Sequence, residues 1–359
     1  MSLEDLRKKI DEADAKIAQL IAERIKIAQE IGKEKQRQGA QLEDREREKK
    51  VLENVRRIAQ DMSLNQEDIE SIYQQIVTVS KRKQGIVVAF QGEIGAYSEE
   101  AALHFFGPSI HVKACESLDD VFKAVEQDET QFGVVPVENS LEGSISRTYD
   151  LFLDSSLKVC GETGLRVAHC LIASQKSRLD LIKRVYSHPQ ALGQCQAFLK
   201  HLNCELIPTY DTAGSVKMIK EQGITDGGAI AGARAAEIYG MKVIAKEIED
   251  NPNNFTRFFI LSKQDSPPTG NDKTSIVFSV KHKPGTLYEF LKEFAARNIS
   301  LTKIESRPTR RKPWEYNFYL DFEGHREDKE PREALGNLEG ISLFIKVLGS
   351  YPKAKWKER

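Results

Sequence analysis

The chain has 359 residues, of which 40% are apolar and 30% are charged, and its 53 basic and 54 acidic side chains leave a formal net charge of −1. A chain of this length exceeds one ordinary hydrophobic core, so we expect two or three domains. The balanced charge excludes a general field that would attract nucleic acid or an anionic membrane, so any bound anion must be held by locally placed charges.

The sequence favours neither membrane insertion nor secretion. It contains no run of eighteen apolar residues, and its first ten residues, MSLEDLRKKI, are charged from the start, which argues against a membrane span and a signal peptide. The five cysteines form an odd set without a C-x-x-C pair, which argues against a disulfide framework and a zinc site. We therefore expect a cytoplasmic protein, and we assign it no metal and no cofactor.

Residues 1–84 form the first predicted domain, which is entirely helical. The region contains no proline, and its apolar residues recur with helical periodicity. We predict helices over residues 3–36 and 44–62, and a third that begins after Asn65, where the polar run can cap it. The first helix would be about 50 Å long, which two shorter helices cannot cover. We therefore expect an intertwined helical dimer, in which a second copy of the chain completes the core.

Positive charge lies within the apolar stripe of the first predicted helix. Ile17, Ile21 and Ile31 follow spacings of three and four that place them on one face, and the same register includes Arg24 and Lys35. Burying unpaired charge is costly, so this cluster predicts a polyanionic ligand inside the bundle. Polar residues that set the helix register, or that extend to solvent, are the alternative.

The segments LRKKID, AERIKIAQEIGKEK and DREREKKVLENV, with a final S-x-x-x-Q, resemble the all-helical chorismate mutase family. The resemblance implies roles for eight side chains. The two carboxylates of chorismate would be held by Arg24, Arg47 and, from the partner chain, Arg7. The ether oxygen would accept hydrogen bonds from Lys35 and Gln84. The hydroxyl and nearby groups would be positioned by Asp44, Glu48 and Ser80.

The chemistry of this family agrees with such a set of side chains. The rearrangement of chorismate to prephenate is pericyclic, so its site needs neither a nucleophile nor a general base. The site must fold a flexible dianion into its reactive conformer and stabilise the charge that develops on the ether oxygen, which Lys35 can do. Arginine suits the carboxylates because its planar fork binds them through two parallel hydrogen bonds.

Residues 85–264 form the second predicted domain. Short β-branched runs alternate there with amphipathic segments, which predicts an α/β fold with a largely parallel sheet and, at this length, two lobes around a cleft. Four motifs follow predicted strands or interrupt them: GEIGAYSEEA, VPVENSLEGS, SHPQALGQC and NNFTRFFIL. The first can receive an anion at a helix start. Ordinary turns and helix caps remain the alternative for the first three.

The fourth motif places Thr256 and Arg257 within a run of phenylalanines that is typical of a buried strand. A buried arginine needs an anionic partner. A carboxylate of the substrate would satisfy it, and so would a salt bridge within the protein.

Together the four motifs resemble prephenate dehydratase, whose T-R-F motif corresponds to Thr256, Arg257 and Phe258. The resemblance implies two α/β lobes around a cleft, as in periplasmic binding proteins, and a catalytic Thr256. We interpret Thr256 as an oriented hydrogen-bond donor to the departing hydroxyl group of prephenate, with Glu138 as a candidate acid. The residues that would line or support the site are Glu138, Asn139, Ser187, His188, Gln190, Gln194, Arg257 and Phe258.

Residues 273–359 form the third predicted domain, after a linker rich in proline, glycine and short polar residues. Their strand-helix-strand-strand-helix-strand pattern predicts a ferredoxin-like α+β fold. The segments HKPGTLYEFL and KIESRPTRRKPWEYNFYLDF resemble the ACT regulatory domain of phenylalanine-inhibited prephenate dehydratases. The resemblance implies that the helix start takes the carboxylate of the effector and Glu305 takes its ammonium. The matching residues are Gly285, Thr286, Leu287, Glu305, Ser306, Arg307 and Pro308.

Family members commonly have alanine where this chain has Thr286, so the identity of the effector stays open, and a dimerisation module without a ligand is the alternative. The three resemblances together predict one homodimeric or larger enzyme with two active sites and a phenylalanine switch. A dehydratase that acts on arogenate, and an amino-acid sensor without catalysis, are competing hypotheses. The fused mutase favours prephenate, because it would make that compound.

Overall fold

The computed structural model describes residues 2–37, 45–84, 86–309 and 315–354. The chain divides into two compact units. One contains residues 1–87 together with 106–111, and the other contains residues 88–105 and 112–359. No helix within the described residues is both long and apolar enough to cross a membrane.

The first unit is built from three helices, in agreement with the sequence. They are α1 (Leu3–Arg37), α2 (Arg45–Asp61) and α3 (Gln66–Gln84). Helix α3 packs against both other helices. Its start is capped by Asn65, whose Oδ1 accepts the backbone N–H of Glu67 at 2.9 Å, which satisfies a donor that has no partner within the helix.

Much of the apolar surface of these helices is exposed on the single chain. Along α1, the side chains at heptad spacing are more than half exposed: Leu3 by 67%, Ile10 by 60% and Ile17 by 55%. Val55 and Ala59 of α2 are buried. The unit thus has a small core and a long uncovered apolar stripe.

The remaining elements form three sheets with flanking helices. The strands are β1 (Val87–Gln91), β2 (His111–Cys115), β3 (Phe132–Asn139), β4 (Gly143–Ser144), β5 (Lys158–Arg166), β6 (Cys170–Ala173), β7 (Arg184–Ser187), β8 (Glu205–Pro208), β9 (Gly227–Ala231), β10 (Lys242–Ala245), β11 (Phe255–Ser262), β12 (Asp272–Val280), β13 (Leu301–Pro308), β14 (Tyr316–Glu323) and β15 (Ser342–Pro352). The helices are α4 (Tyr97–Phe106), α5 (Leu118–Glu126), α6 (Ser146–Asp154), α7 (Pro189–Gly193), α8 (Gln196–Leu199), α9 (Thr212–Glu221), α10 (Ala233–Tyr239), α11 (Thr286–Ala295) and α12 (Lys329–Ile341), with a short 3-10 helix at Leu179–Leu181.

The α/β region has the two lobes that the sequence predicts. The first lobe has the strand order β2-β1-β3-β11-β5, with β4 beside β3, and the second has the order β10-β6-β9-β7-β8. The chain therefore crosses between the lobes twice, after β5 and after β10. Residues at both crossings belong to the candidate site.

The prediction of a largely parallel sheet is wrong. In the first lobe β1 and β3 are parallel, but β11 is antiparallel to both β3 and β5. In the second lobe β7 is parallel to β8 and β9, whereas β6 is antiparallel to β9 and β10. In the first lobe the antiparallel strand is β11, which returns from the second lobe and inserts between β3 and β5.

The C-terminal domain is a four-stranded antiparallel sheet of order β13-β14-β12-β15 that carries α11 and α12. One face packs against the helices through a core that includes Phe278, Phe290 and Phe322. The other face packs against the first lobe, where Tyr319 and Tyr351 join the core of that lobe. The C-terminal domain therefore lies directly on the sheet that contains β11.

Candidate active sites

In the helical unit, the structure brings together two of the predicted chorismate-binding residues. Nη1 of Arg24 on α1 donates to Oγ of Ser80 on α3 at 2.6 Å. Ser80 is buried, and its hydroxyl donates to the carbonyl oxygen of Ile76 at 2.7 Å. Because the Ser80 hydrogen is used within α3, its oxygen accepts from Arg24 and orients the guanidinium between the two helices.

The other predicted residues of this site fall into two groups. Arg7 is described and is exposed on the single chain. The side chains of Lys35, Arg47, Glu48 and Gln84, and the whole of Asp44, lie outside the described residues. Their predicted roles stay predictions.

In the α/β region, the site is organised around Thr256 on β11, which lies directly opposite Asn139 on β3. Nδ2 of Asn139 is 3.1 Å from Oγ1 of Thr256. Oδ1 of Asn139 accepts the backbone N–H groups of Leu141 and Glu142 at 3.0 and 3.1 Å. These two backbone donors fix which end of the amide is the oxygen, so Asn139 donates to Thr256 and Thr256 accepts. Among the described residues, nothing accepts the hydroxyl hydrogen of Thr256.

Arg257 and Glu138 lie on the opposite face of the same two strands, since side chains alternate along a strand and these residues are paired with each other. Nε of Arg257 donates to Glu162 at 2.8 Å and Nη1 donates to Asp321 at 2.6 Å. Burial alone would lower the pKa of Arg257, but Asp321, Tyr351 and Glu162 outweigh it and raise the pKa above its ordinary value. Arg257 therefore makes the salt bridge within the protein, which the sequence left open as the alternative to a substrate carboxylate.

This arrangement does not bring two of the predicted residues to Thr256, and their roles in the prephenate site stay predictions. The sequence placed Glu138 and Arg257 in the prephenate site, with Glu138 as a candidate acid. In the structure Glu138 faces the C-terminal domain, 3.1 Å from Nζ of Lys303, and both side chains point away from Thr256. Phe258 returns to the face of Thr256, but its ring is only 2% exposed and belongs to the packed sheet.

The SHPQ motif contributes unequally to the site. Ser187 at the end of β7 is completely buried and donates to the carbonyl oxygen of Ile230 at 2.6 Å, so it supports the sheet. His188 precedes α7, and its Nδ1 accepts the backbone N–H of Gln190 at 3.3 Å. The side chain of Gln190 is exposed. Gln194 reaches the neighbourhood of Thr256, because its Oε1 accepts from Nδ2 of Asn254 at 2.9 Å.

Between the lobes lies a cavity of about 730 Å³. Residues of the GEIGAYS motif line one side of it, and His188 and Asp211 line the other. Gly92 is at a positive φ of 110°, and a Cβ there would lie 3.2 Å from Oδ2 of Asp211, so glycine suits this close approach. Burial raises the pKa of Asp211. The cavity has the size and mixed polar lining of a small-molecule site.

Sequence reasoning missed three polar residues that connect this cavity to Thr256. Tyr97 lines the cavity, and its hydroxyl lies 3.0 Å from Nδ1 of His169. Nε2 of His169 lies 3.1 Å from Oε1 of Gln194. Asn254 links Gln194 to Asn139. Tyr97 and Asn254 belong to two of the four motifs, whereas His169 is a single histidine in the apolar run LRVAHCLIA and gave no spacing signal.

In the C-terminal domain, the predicted effector residues lie at a helix start and on a strand. Gly285 adopts a left-handed φ of 85° directly before α11, and Thr286 Oγ1 donates to the carbonyl oxygen of Lys283 at 3.1 Å. Leu287 packs against the domain core. On β13, Ser306 and Pro308 are exposed.

Glu305 and Arg307 alternate with those two residues on β13 and face the first lobe. Glu305 is hydrogen-bonded to Ser144 and lies 3.3 Å from Nζ of Lys303. Nη2 of Arg307 lies 3.2 Å from Asp150. Both side chains therefore have partners within the single chain, and the role of Glu305 towards an effector ammonium stays a prediction.

Comparison with known proteins divides the chain in the same order. Residues 6–85 match the family described as chorismate mutase type II, residues 88–266 match prephenate dehydratase, and residues 274–340 match the ACT domain. The bifunctional chorismate mutase/prephenate dehydratase of Aquifex aeolicus is 40% identical, over 99% of each chain. The arogenate dehydratase/prephenate dehydratase 2 of Arabidopsis thaliana is 44% identical, over 74% of this chain and 72% of its own.

A solved structure agrees with the C-terminal three quarters of the chain. Prephenate dehydratase from Arthrobacter aurescens in complex with L-Phe superimposes with a TM-score of 0.69 and 31% identity, covering 75% of this chain and 90% of that chain.

Proposed function

The chain belongs to the bifunctional chorismate mutase/prephenate dehydratase family, and on this premise we propose how it carries out the two reactions. Chorismate is rearranged to prephenate in the helical unit. Prephenate then loses carbon dioxide and hydroxide at Thr256 to give phenylpyruvate. The observation that carries the proposal is the donor-acceptor order at Thr256, whose oxygen accepts from Asn139 and whose hydrogen is left for the substrate.

The contact between Arg24 and Ser80 supports the mutase site. Arg24 is partly buried, and among the described residues no carboxylate pairs with its guanidinium. Ser80 holds one nitrogen and leaves other N–H groups for a ligand. A partly buried cation without a described counter-charge favours an anionic ligand, and chorismate supplies two carboxylates.

The mutase assignment is tested by Arg24→Ala, with Arg24→Lys as the matched variant. Losing the bidentate contact and the charge in Arg24→Ala should lower kcat/KM for chorismate by at least about 30-fold, since hydrogen-bonded charge pairs of this kind are worth about 2–5 kcal/mol. Arg24→Lys keeps the charge but not the planar guanidinium, so its kcat/KM should lie between the values of the wild type and of Arg24→Ala. Normal chorismate consumption by Arg24→Ala would exclude Arg24 from the site.

The exposed stripe of α1 supports a helical dimer. Leu3, Ile10 and Ile17 are more than half exposed on the single chain, and a contiguous apolar surface of this kind is costly in water. We propose that a second copy covers it and brings Arg7 to the site of its partner. Ile17→Glu should therefore abolish mutase activity, whereas Lys16→Glu, a charge change at the neighbouring exposed position, should not. Full mutase activity in Ile17→Glu would contradict the dimer.

The dehydratase reaction needs assistance at one bond. As carbon dioxide leaves, the electron pair of the breaking C–C bond enters the ring, and the C–O bond breaks with both electrons on oxygen. The departing hydroxide is a poor leaving group, so a hydrogen bond directed at its oxygen lowers the barrier. Thr256 supplies that bond, and after the hydroxide has left it is neutralised to water by a proton from the buffered solvent. Neither a metal nor a cofactor is required for this balance of atoms and electrons.

The dehydratase assignment is tested with prephenate as substrate. Thr256→Ala should lower kcat by about 10²–10³-fold, which is the usual loss on removing one such donor. Thr256→Ser keeps the hydroxyl and should retain most of the rate. If Thr256→Ala turned over prephenate at the wild-type rate, Thr256 would not be the donor.

We propose that L-phenylalanine inhibits the dehydratase by binding at the C-terminal domain. The L-Phe complex of the Arthrobacter relative and the start of α11 support this. Gly285→Val places a branched side chain at a φ that such residues rarely adopt. It should weaken inhibition by L-phenylalanine while the uninhibited kcat stays within about twofold, as expected for a change remote from the chemistry. Unchanged inhibition would remove this helix start from the effector site.

Arogenate is the competing substrate, since a relative of 44% identity is named for both compounds. The fused mutase produces prephenate, so we expect kcat/KM to be higher for prephenate than for arogenate. A direct comparison of the two with the purified chain decides between them, and a preference for arogenate would overturn this choice.

A further inference from the structure

A continuous hydrogen-bond chain, here called the amide chain, connects Thr256 to the lining of the cavity. Nδ2 of Asn139 donates to Oδ1 of Asn254 at 2.7 Å. Nδ2 of Asn254 donates to Oε1 of Gln194 at 2.9 Å. Beyond Gln194 the chain continues through the contacts of 3.1 and 3.0 Å described above. Its members in order are Thr256, Asn139, Asn254, Gln194, His169 and Tyr97.

The direction of every hydrogen bond in the amide chain follows from its fixed end. The backbone N–H groups of Leu141 and Glu142 identify Oδ1 of Asn139, so its Nδ2 is the donor to Asn254. Asn254 therefore accepts on its oxygen and donates from its nitrogen to Gln194. The oxygen of Gln194 can only accept, so Nε2 of His169 must carry a hydrogen.

The other ring nitrogen of His169 then acts as an acceptor. The ring is 2% exposed, and burial lowers the pKa of His169, although Gln194 and Glu249 oppose that shift. A neutral ring with a hydrogen on Nε2 has a lone pair on Nδ1, which faces the hydroxyl of Tyr97. That hydroxyl shares its single hydrogen between Nδ1 and the carbonyl oxygen of Ala168 at 2.9 Å.

We propose that His169 is a positioning residue of the dehydratase: as the neutral Nε2–H tautomer it completes the donor-acceptor order that backbone groups set at Asn139, and it thereby holds Gln194 and Asn254 where they support the contact between Asn139 and Thr256. The proposal rests on the proposed dehydratase function. His169 acts through Gln194, Asn254 and Asn139, and it lies at one lobe crossing, directly before β6, while Asn254 lies at the other, directly before β11.

The alternative tautomer shows why the ring matters. Without a hydrogen on Nε2, the lone pairs of Nε2 and of Oε1 of Gln194 would face each other. If Gln194 rotated its NH2 group towards His169 instead, that group would face Nδ2 of Asn254, which is also a donor. Asn139 cannot rotate to relieve this mismatch, because two backbone N–H groups hold its side-chain oxygen. The mismatch would remain as two like groups in contact between the partly buried Gln194 and its buried neighbour His169 or Asn254, where unsatisfied polar atoms are costly.

The first test compares two substitutions of His169 in the full-length chain, with prephenate as substrate and mutase activity as an internal control of folding. His169→Phe removes both hydrogen bonds and should lower the dehydratase kcat by at least about tenfold, a modest part of what one directed donor is worth. KM and mutase activity should stay within about twofold, because binding groups are untouched. His169→Gln can donate to Gln194 and accept from Tyr97, so it should recover most of the loss. Equal rates in His169→Gln and His169→Phe, or a wild-type kcat in His169→Phe, would overturn the proposal.

The second test uses Asn254→Asp, which keeps the shape of the side chain and replaces its donor with an acceptor. This substitution should lower kcat as much as His169→Phe does. The double variant that carries both substitutions should be no slower than the slower single variant, because both residues act through the amide chain. Multiplied losses in the double variant would show that His169 does not act through Asn254. If Thr256→Ala kept the wild-type kcat, the proposed dehydratase site itself would be wrong. If Thr256→Ala lost activity but the His169 and Asn254 variants kept the wild-type kcat, the site would stand and this inference would fail.

Discussion

Nζ of Lys303 lies 3.1 Å from Oε1 of Glu138. Lys303 belongs to β13, which also holds four of the predicted effector residues, Glu305 to Pro308, and Glu138 adjoins Asn139, the partner of Thr256. Lys303 also donates to Oγ of Ser144 at 2.6 Å. The strand that holds predicted effector residues and the strand whose Asn139 contacts the Thr256 hydroxyl are therefore in direct contact.

This contact predicts that Lys303→Gln weakens feedback inhibition. Removing the charge should raise the concentration of L-phenylalanine needed for half inhibition several-fold, because coupling energies between sites are typically about 1–3 kcal/mol. The rate without effector should change little. Lys292→Gln is the matched control, since Lys292 pairs only with the exposed Glu289 on α11 among the described residues. Identical inhibition curves for Lys303→Gln and the wild type would exclude this route.

The salt bridge between Arg257 and Asp321 predicts a large loss of stability in Asp321→Asn. Both side chains are buried, and removing one partner of a buried pair typically costs about 3–5 kcal/mol. Asp119→Asn, which breaks an exposed pair with Arg147, should cost at most about 1 kcal/mol. Urea unfolding at neutral pH measures both. A loss in Asp321→Asn no greater than in Asp119→Asn would contradict this reasoning.

The same pair predicts how stability depends on pH. Burial alone would raise the pKa of Asp321, but Arg257 and Ser275 lower it further than burial raises it. An aspartate whose folded pKa is depressed stabilises the fold above its unfolded pKa of about 3.9, and this contribution is lost as the pH falls through the lower folded value. The difference in unfolding free energy between the wild type and Asp321→Asn should therefore shrink below about pH 4. A difference that is constant from pH 7 to pH 3 would contradict it.

Gly349 on β15 predicts how closely the C-terminal domain must approach the first lobe. A Cβ at this position would lie 2.1 Å from the carbonyl oxygen of Val159 on β5, so Gly349→Ala must push two backbones apart. Overpacking of this kind typically costs about 1–3 kcal/mol. Gly336→Ala on α12 meets nothing within 4 Å and should be neutral or stabilising, because alanine favours helix. If the Tm of Gly349→Ala equalled or exceeded that of the wild type, the two sheets would not pack as described.

Asn139→Asp tests the orientation of the Thr256 hydroxyl. The substitution keeps the shape of the side chain but turns the donor towards Thr256 into an acceptor. The hydroxyl hydrogen would then be bound by residue 139, and kcat for prephenate should fall about 100-fold, as on loss of a directed donor. Steady-state kinetics measure it. A kcat unchanged from the wild type would show that the hydrogen of Thr256 is not used in catalysis.

The sequence predicted what is local and missed what is brought together by the fold. Helical periodicity gave α1 to α3, and the phenylalanine-rich run gave β11 with its buried arginine. The partner of that arginine, Asp321, lies 64 residues further along the chain in another domain. Periodicity describes local structure only, so it could not predict this contact. The strand order was missed for the same reason, because the insertion of β11 between β3 and β5 depends on two crossings between lobes. His169 gave no signal, since its proposed role depends on the five other side chains of the amide chain, which come from distant segments.

The account rests on two separate sites in one chain, with Arg24 in the first and Thr256 in the second. The most direct measurement is a time course of chorismate, prephenate and phenylpyruvate after chorismate is added to the wild type, to Arg24→Ala and to Thr256→Ala. We predict that the wild type forms phenylpyruvate, that Arg24→Ala leaves chorismate unconsumed, and that Thr256→Ala accumulates prephenate. Formation of phenylpyruvate at the wild-type rate by either variant would contradict the account.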